Sequence, residues 1–158
     1  MPPEPIIRED VFQATPDELF DAFTVPELVT HWLAQRADID ARPGGWWTFT
    51  WPPHNADSGR YLVVDRPSHL VWIWTAEVEN IGLAPDGGET YPGITRDFTF
   101  EALPNGGTRL VIRETGAEDD SSHNEHAHDI DVMLEHLHDF VEKDERVDWN
   151  QPQAPEPD

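Results

Sequence analysis

Residues 123–147 read HNEHAHDIDVMLEHLHDFVEKDERV, and this stretch decides the fold. Ile130, Met133, Leu134, Leu137 and Val141 recur at helical spacing, Phe140 lies beside them, and Asp129, Asp131, Glu135, Asp139 and Glu142 fall between. The pattern predicts an amphipathic helix of about five turns with a single apolar stripe. Upstream segments of comparable apolar content read as β-strands, so the surface able to bury that stripe is a sheet. The expected architecture is α+β, with a long C-terminal helix lying across a curved antiparallel sheet.

Going back to the start of the chain, residues 6–12 alternate well enough for a first strand. Thr15 then stands where a helix cap belongs, Pro16 at the first helical position and Glu18 three residues after Thr15, as in a capping box. A short helix through Leu19, Phe20, Ala22 and Phe23 follows. A second start at residues 24–27 opens another, carrying Leu28, Val29, Trp32 and Leu33. Two short helices after one strand make an insert able to plug one end of a curved sheet. From residue 37 the period becomes two. Strands are expected at 37–42, 46–51, 59–65, 69–77, 95–102 and 108–115, with turns at 43–45, 52–58, 66–68 and 104–107. Residues 78–94 carry Gly82, Pro85, Gly87, Gly88, Pro92 and Gly93 and form an irregular connection far longer than the usual ~4 to 6 residues. Residues 116–124 read as polar linker.

The 158 residues fit one domain, expected over 5–147, followed by a disordered acidic, Pro-rich tail at 148–158. Without cysteine there is no disulfide, thiol catalysis or Cys-ligated zinc. Asp and Glu total 32 against 10 Lys and Arg, a formal net charge of −22, which disfavours nucleic acid and anionic membrane surfaces as partners. Of the basic residues only Lys143 is a lysine, and the acids are spread along the whole chain. That distribution suits a high-salt cytoplasm, where screening removes self-repulsion. The N-terminus has neither a basic nor an apolar segment and no run could span a membrane, so a cytoplasmic location is expected.

The words of the sequence carry a resemblance. Residues 14–24 (ATPDELFDAFT), Pro26-Glu27 and His31-Trp32-Leu33 resemble the opening of the family of homologues of the activator of heat-shock protein 90 ATPase, within the START-like SRPBCC superfamily. Pro43-Gly44-Gly45-Trp46-Trp47, residues 66–74 (RPSHLVWIW) and residues 106–110 (GGTRL) are similar in the same way, and the likeness covers roughly residues 8–143. It implies the helix-grip fold and a deep cavity between the sheet's concave face and the long helix, in which relatives hold hydrophobic or aromatic small molecules. Positions matching pocket-facing ones are Trp47, Phe49, Trp51, Tyr61, Trp72, Trp74, Phe98, Phe100, Leu110 and Ile112, with Met133 and Leu137 from the helix. The family's usual Gly-Trp before the last helix is absent; His126, Ala127 and His128 stand near that place.

The same aromatic positions would serve plain core packing. The two readings differ in whether a void remains. His123, His126 and His128, with His136 and His138, lack an HExxH or equivalent, and no metal or cofactor is expected. Catalysis would need an acid or base inside the cavity. Glu114, in phase with Leu110 and Ile112, and His31 and His54 are the candidates, with Glu114 expected to be solvated at its strand end. Arg60 and Arg96 are expected in surface ion pairs. No nucleophile elbow, phosphate loop or paired-carboxylate motif is present. The expected function is binding of a hydrophobic small molecule, lipid-like or polyketide- or flavonoid-like, without catalysis. A co-chaperone-type module with a protein partner and a cyclase or hydratase of aromatic substrates are the alternatives.

Overall fold

The computed structural model describes residues 4–51, 55–74, 94–117 and 119–149. The elements run β1 (Ile6–Phe12), α1 (Pro16–Thr24), α2 (Pro26–Val29), β2 (Arg36–Ile39), β3 (Trp46–Trp51), β4 (Asn55–Asp65), β5 (His69–Trp74), β6 (Thr95–Ala102), β7 (Thr108–Thr115) and α3 (Asp120–Lys143). The strands form one antiparallel sheet in the order β1-β7-β6-β5-β4-β3-β2. Pairing of the first strand with the last leaves β1 and β2 at opposite edges, and the α1–α2 insert spans the distance between them. Against the curved sheet lies α3, the helix-grip arrangement.

Local chemistry explains the elements. Thr15 Oγ1 accepts from Glu18 N while the Glu18 carboxylate reaches back to Thr15, completing the capping box. Helix α2 is only one turn, and Trp32 and Leu33 follow it in a turn instead of extending it. Helix α3 is longer than its apolar stripe suggested. Asp119 caps it by accepting from Ser122 N, so residues 120–124, expected as linker, form its first turn. Its far end closes at Asp144, φ 53°, a left-handed conformation that Asp tolerates better than most residues. Strand β2 is shorter than expected, whereas β4 starts at Asn55, inside the expected turn.

On β4 the alternation shifts. Register slips between Tyr61 and Val63, so Val64, not Val63, returns to the core side with Tyr61. Leu62 and Val63 pack on the outer face with Val71 and Ile73. Even-numbered residues of β1 face α3: Arg8 pairs with Asp131 at 2.8 Å, Asp10 with His138 at 2.7 Å, and Phe12 stacks on His138 at 3.9 Å. Ile7 and Val11 on the other face are exposed.

Beyond α3, Val147 N donates to His31 O and Trp149 Nε1 to Thr30 O, so the chain is still docked on the α2 region at its last described residue. Residues 150–158 of the tail expected at 148–158, residues 78–93 of the connection expected at 78–94, residues 75–77 of the strand expected at 69–77, and His54 lie outside the described residues. Among the described residues no helix is long and apolar enough to cross a membrane.

Candidate functional site

Ten of the positions expected to face a pocket, Trp47, Phe49, Tyr61, Trp72, Phe98, Phe100, Leu110, Ile112, Met133 and Leu137, are buried in the core between sheet and helices; Trp51 and Trp74 are partly buried against it. One part of this inner face is closed by the helical insert. Phe23 of α1 lies 4.7 Å from Phe98 and 5.7 Å from Phe100, Phe20 lies 5.5 Å from Phe100, and Trp32 meets Phe23 edge-on at 4.9 Å. Rings so closely interlocked are core packing.

The next part of the face has a different character. Ile6, Glu114, Arg96, Trp72 and Tyr61 are successive register partners across β1, β7, β6, β5 and β4. Directly opposed residues of antiparallel strands share a face, so these side chains form one transverse row. Arg96 and Glu114 are 5% and 1% exposed. Both Nε and Nη2 of Arg96 reach Glu114 Oε1, at 2.8 and 2.7 Å. The guanidinium lies over the Trp74 ring, 4.6 Å from its centroid, with Nη1 3.9 Å from Met133 Sδ. From α3, His126 brings Nδ1 to 3.1 Å from Glu114 Oε2. The approach is an ion pair, although its geometry is not that of an aligned hydrogen bond.

Electrostatics follow from this arrangement. Burial pushes the Glu114 carboxyl up, but His126 and Arg96 outweigh it and hold the group below the usual carboxylate range. The Glu114 carboxylate in turn raises His126 above the ordinary imidazole value despite burial. The site therefore keeps an ionised carboxylate inside an aromatic shell.

Two sequence expectations are corrected. Glu114 is not solvated, because Arg96 directly across the ladder neutralises it. Arg96 is not at the surface, because it shares the inward phase of Phe98 and Phe100. Arg60 does face away from the core, over the Trp46 ring at 4.7 Å. His31 packs on Phe140 at 5.5 Å, about 21 Å along α3 from His126 by helical rise, and belongs to a different region. The sequence signal for His126 lies in its spacing: it stands four and seven residues before Ile130 and Met133, on the apolar stripe itself. Among the described residues no group of three or more His, Asp or Glu is arranged to hold a metal ion.

A curved antiparallel sheet gripping a long C-terminal helix defines a START-like domain. The family model described as Activator of Hsp90 ATPase homolog 1-like protein matches residues 13–142, and the chain belongs to that family. Protein MLL2253 from Mesorhizobium loti is similar in structure, with TM-score 0.71 and 18% identity over 89% of this chain and 98% of that one. The Aha1 dimer from Colwellia psychrerythraea matches with TM-score 0.70 and 15% identity over 87% and 96%. DynU16, a protein in the dynemicin biosynthetic locus, matches with TM-score 0.74 and 14% identity over 92% of this chain but 49% of its own. No curated protein sequence matches significantly.

Proposed function

We propose that the protein binds a hydrophobic or aromatic small molecule between the sheet and α3, with the polar end of the ligand at Arg96, Glu114 and His126. The observation that carries this reading is the buried Arg96–Glu114–His126 cluster, a charged group enclosed against Trp74 and Met133 on the inner face. Small-molecule sites are mostly apolar walls with a few convergent polar groups. Trp47, Trp72, Trp74 and Met133 are the walls nearest the cluster.

A second reading has its own observation. Glu114 and His126 titrate away from their ordinary values and touch each other, as an acid–base pair acting on a bound aromatic substrate would. Binding comes first in either case. An amide chemical-shift titration at high salt with flavonoids, fatty acids and aromatic polyketides tests it. Saturable shifts are expected on β4 to β7 and on α3 from His126 to Leu137. Silence across the whole panel would overturn the proposal and turn attention to protein partners.

A further inference from the structure

His138 on α3 stands between two carboxylates. Its Nε2 lies 2.7 Å from Asp10 Oδ2 on β1, and its Nδ1 lies 2.7 Å from Glu142 Oε1, one turn further along the helix. The ring also stacks on Phe12, with centroids 3.9 Å apart and planes 19° from parallel. An ionised carboxylate oxygen only accepts, so both ring nitrogens must donate, and only the imidazolium carries two N–H groups. Distances this short are those of charge-assisted bonds.

The other oxygens of the two carboxylates are held as well. Asp10 Oδ1 accepts from Val11 N at 2.9 Å, and Glu142 Oε2 accepts from Gln13 N at 2.8 Å. A continuous chain of bonds therefore leaves β1 at Asp10, crosses His138 and Glu142, and returns to the residue after the strand. Asp10 from β1 and Glu142 from α3 are the charged groups that face the imidazole. Their neighbours are engaged elsewhere, Arg8 with Asp131 at 2.8 Å and Lys143 with Asp139 at 3.3 Å, while Glu135, one turn back on α3, is exposed. Burial opposes the proton on His138, but the hydrogen bonds to Asp10 and Glu142 outweigh it and raise the group above its ordinary value.

The two halves of α3 are held differently. Ile130, Met133, Leu134 and Leu137 are buried, and the ion pair of Arg8 with Asp131 keeps both charges through the neutral range. Beyond Leu137 the apolar hold weakens, since Phe140 and Val141 are only partly buried. There the helix is tied to β1 through His138 and Glu142. Loss of the ring proton to solvent removes one of the two donors and leaves a neutral ring between carboxylates whose repulsion the charge had offset.

We infer that His138 is a pH-operated clasp: as the imidazolium it ties the last turns of α3 to the end of β1, and as the neutral ring it lets them open while the helix from Ile130 to Leu137 stays on the sheet. Amide hydrogen-exchange protection factors of the full chain, which divide out the pH dependence of intrinsic exchange, test this alongside the ring-proton titration of His138. At constant salt from about pH 6 to about pH 8.5, amides 140–143 are expected to lose at least about tenfold in protection through the His138 midpoint, with no comparable loss at 130–134. The amide shifts of Val11 and Gln13 should move with the same midpoint.

His138→Gln should leave amides 140–143 poorly protected at every pH. His138→Arg, which keeps a planar charge on Phe12, should hold them protected at every pH. Asp10→Asn should lower the His138 midpoint and shrink the step. Equal loss along the whole helix would make the effect one of global stability and overturn the clasp. A His138 titration that leaves 140–143 unchanged would overturn it too, as would an Arg variant as labile as the Gln variant.

Discussion

Arg96 and Glu114 face each other across β6 and β7 with almost no solvent contact, so removing either one strands the other. An uncompensated buried charge typically costs about 3–5 kcal/mol, whereas an apolar replacement of the whole pair is often close to neutral. Glu114→Ala should therefore lower stability by about that amount, and Arg96→Met combined with Glu114→Leu should recover most of it. Urea melts of the two variants check this, and equal losses in the single and the double variant would sink it. His138 supplies a second expectation. Burial lowers its affinity for a proton, but hydrogen bonds to Asp10 and Glu142 outweigh that and raise it. A raised histidine contributes stability that is fully present below the ordinary value of 6.5 and is lost as pH climbs through the folded value. The depressed Glu114 acts in the other direction, contributing above 4.5 and losing that contribution as pH falls. Stability from these groups is greatest in the interval between those two values. The urea midpoint is expected to decline from about pH 6 to about pH 8, less steeply in His138→Gln.

At the scale of the element, caps and close approaches decide where the chain turns. Thr15 closes the first turn of α1 and Asp119 that of α3, each through a side-chain oxygen on a backbone N–H. Replacing either with Ala should cost about 1 kcal/mol, and a thermal melt indistinguishable from the parent would show the cap to be redundant. Gly59 matters for a different reason. A Cβ there would lie 2.6 Å from the Trp47 ring and closer still to the Ile73 carbonyl oxygen, so the strand has glycine where an indole crosses it. Gly59→Ala is expected to destabilise the protein and to perturb the Trp47 indole resonance, since Trp47 Nε1 donates to Arg60 O next door.

For the molecule as a whole the dominant quantity is charge. Thirty-two acidic residues against ten basic ones leave most carboxylates without a cationic partner, and their mutual repulsion opposes the folded state. Screening shortens its range from about 10 Å at 0.1 M salt to about 3 Å at 1 M. The melting temperature should accordingly rise with KCl over that range. A melting temperature indifferent to salt would remove the case for adaptation to a saline interior.

Periodicity is a local property, and what depends on it could be read directly: the capping box at Thr15, strands β3, β6 and β7, the apolar stripe of α3, and with them the α+β helix-grip class. The inward placement of the aromatic positions could be read in the same way, because alternation assigns a face wherever pairing is regular. Where pairing slips, at the bulge after Tyr61, alternation assigns Val63 to the wrong side. The polar row lay beyond sequence reasoning for a related reason. Whether a carboxylate at a strand end is solvated or buried depends on what stands across the ladder and above the sheet. For Glu114 those neighbours are Arg96, eighteen residues away, and His126 on another element. Composition and local pattern determined that a long helix must close over an aromatic sheet. Only the tertiary structure decided that a paired charge would be enclosed with it, because desolvation and Coulomb energy are set by contacts distant in sequence.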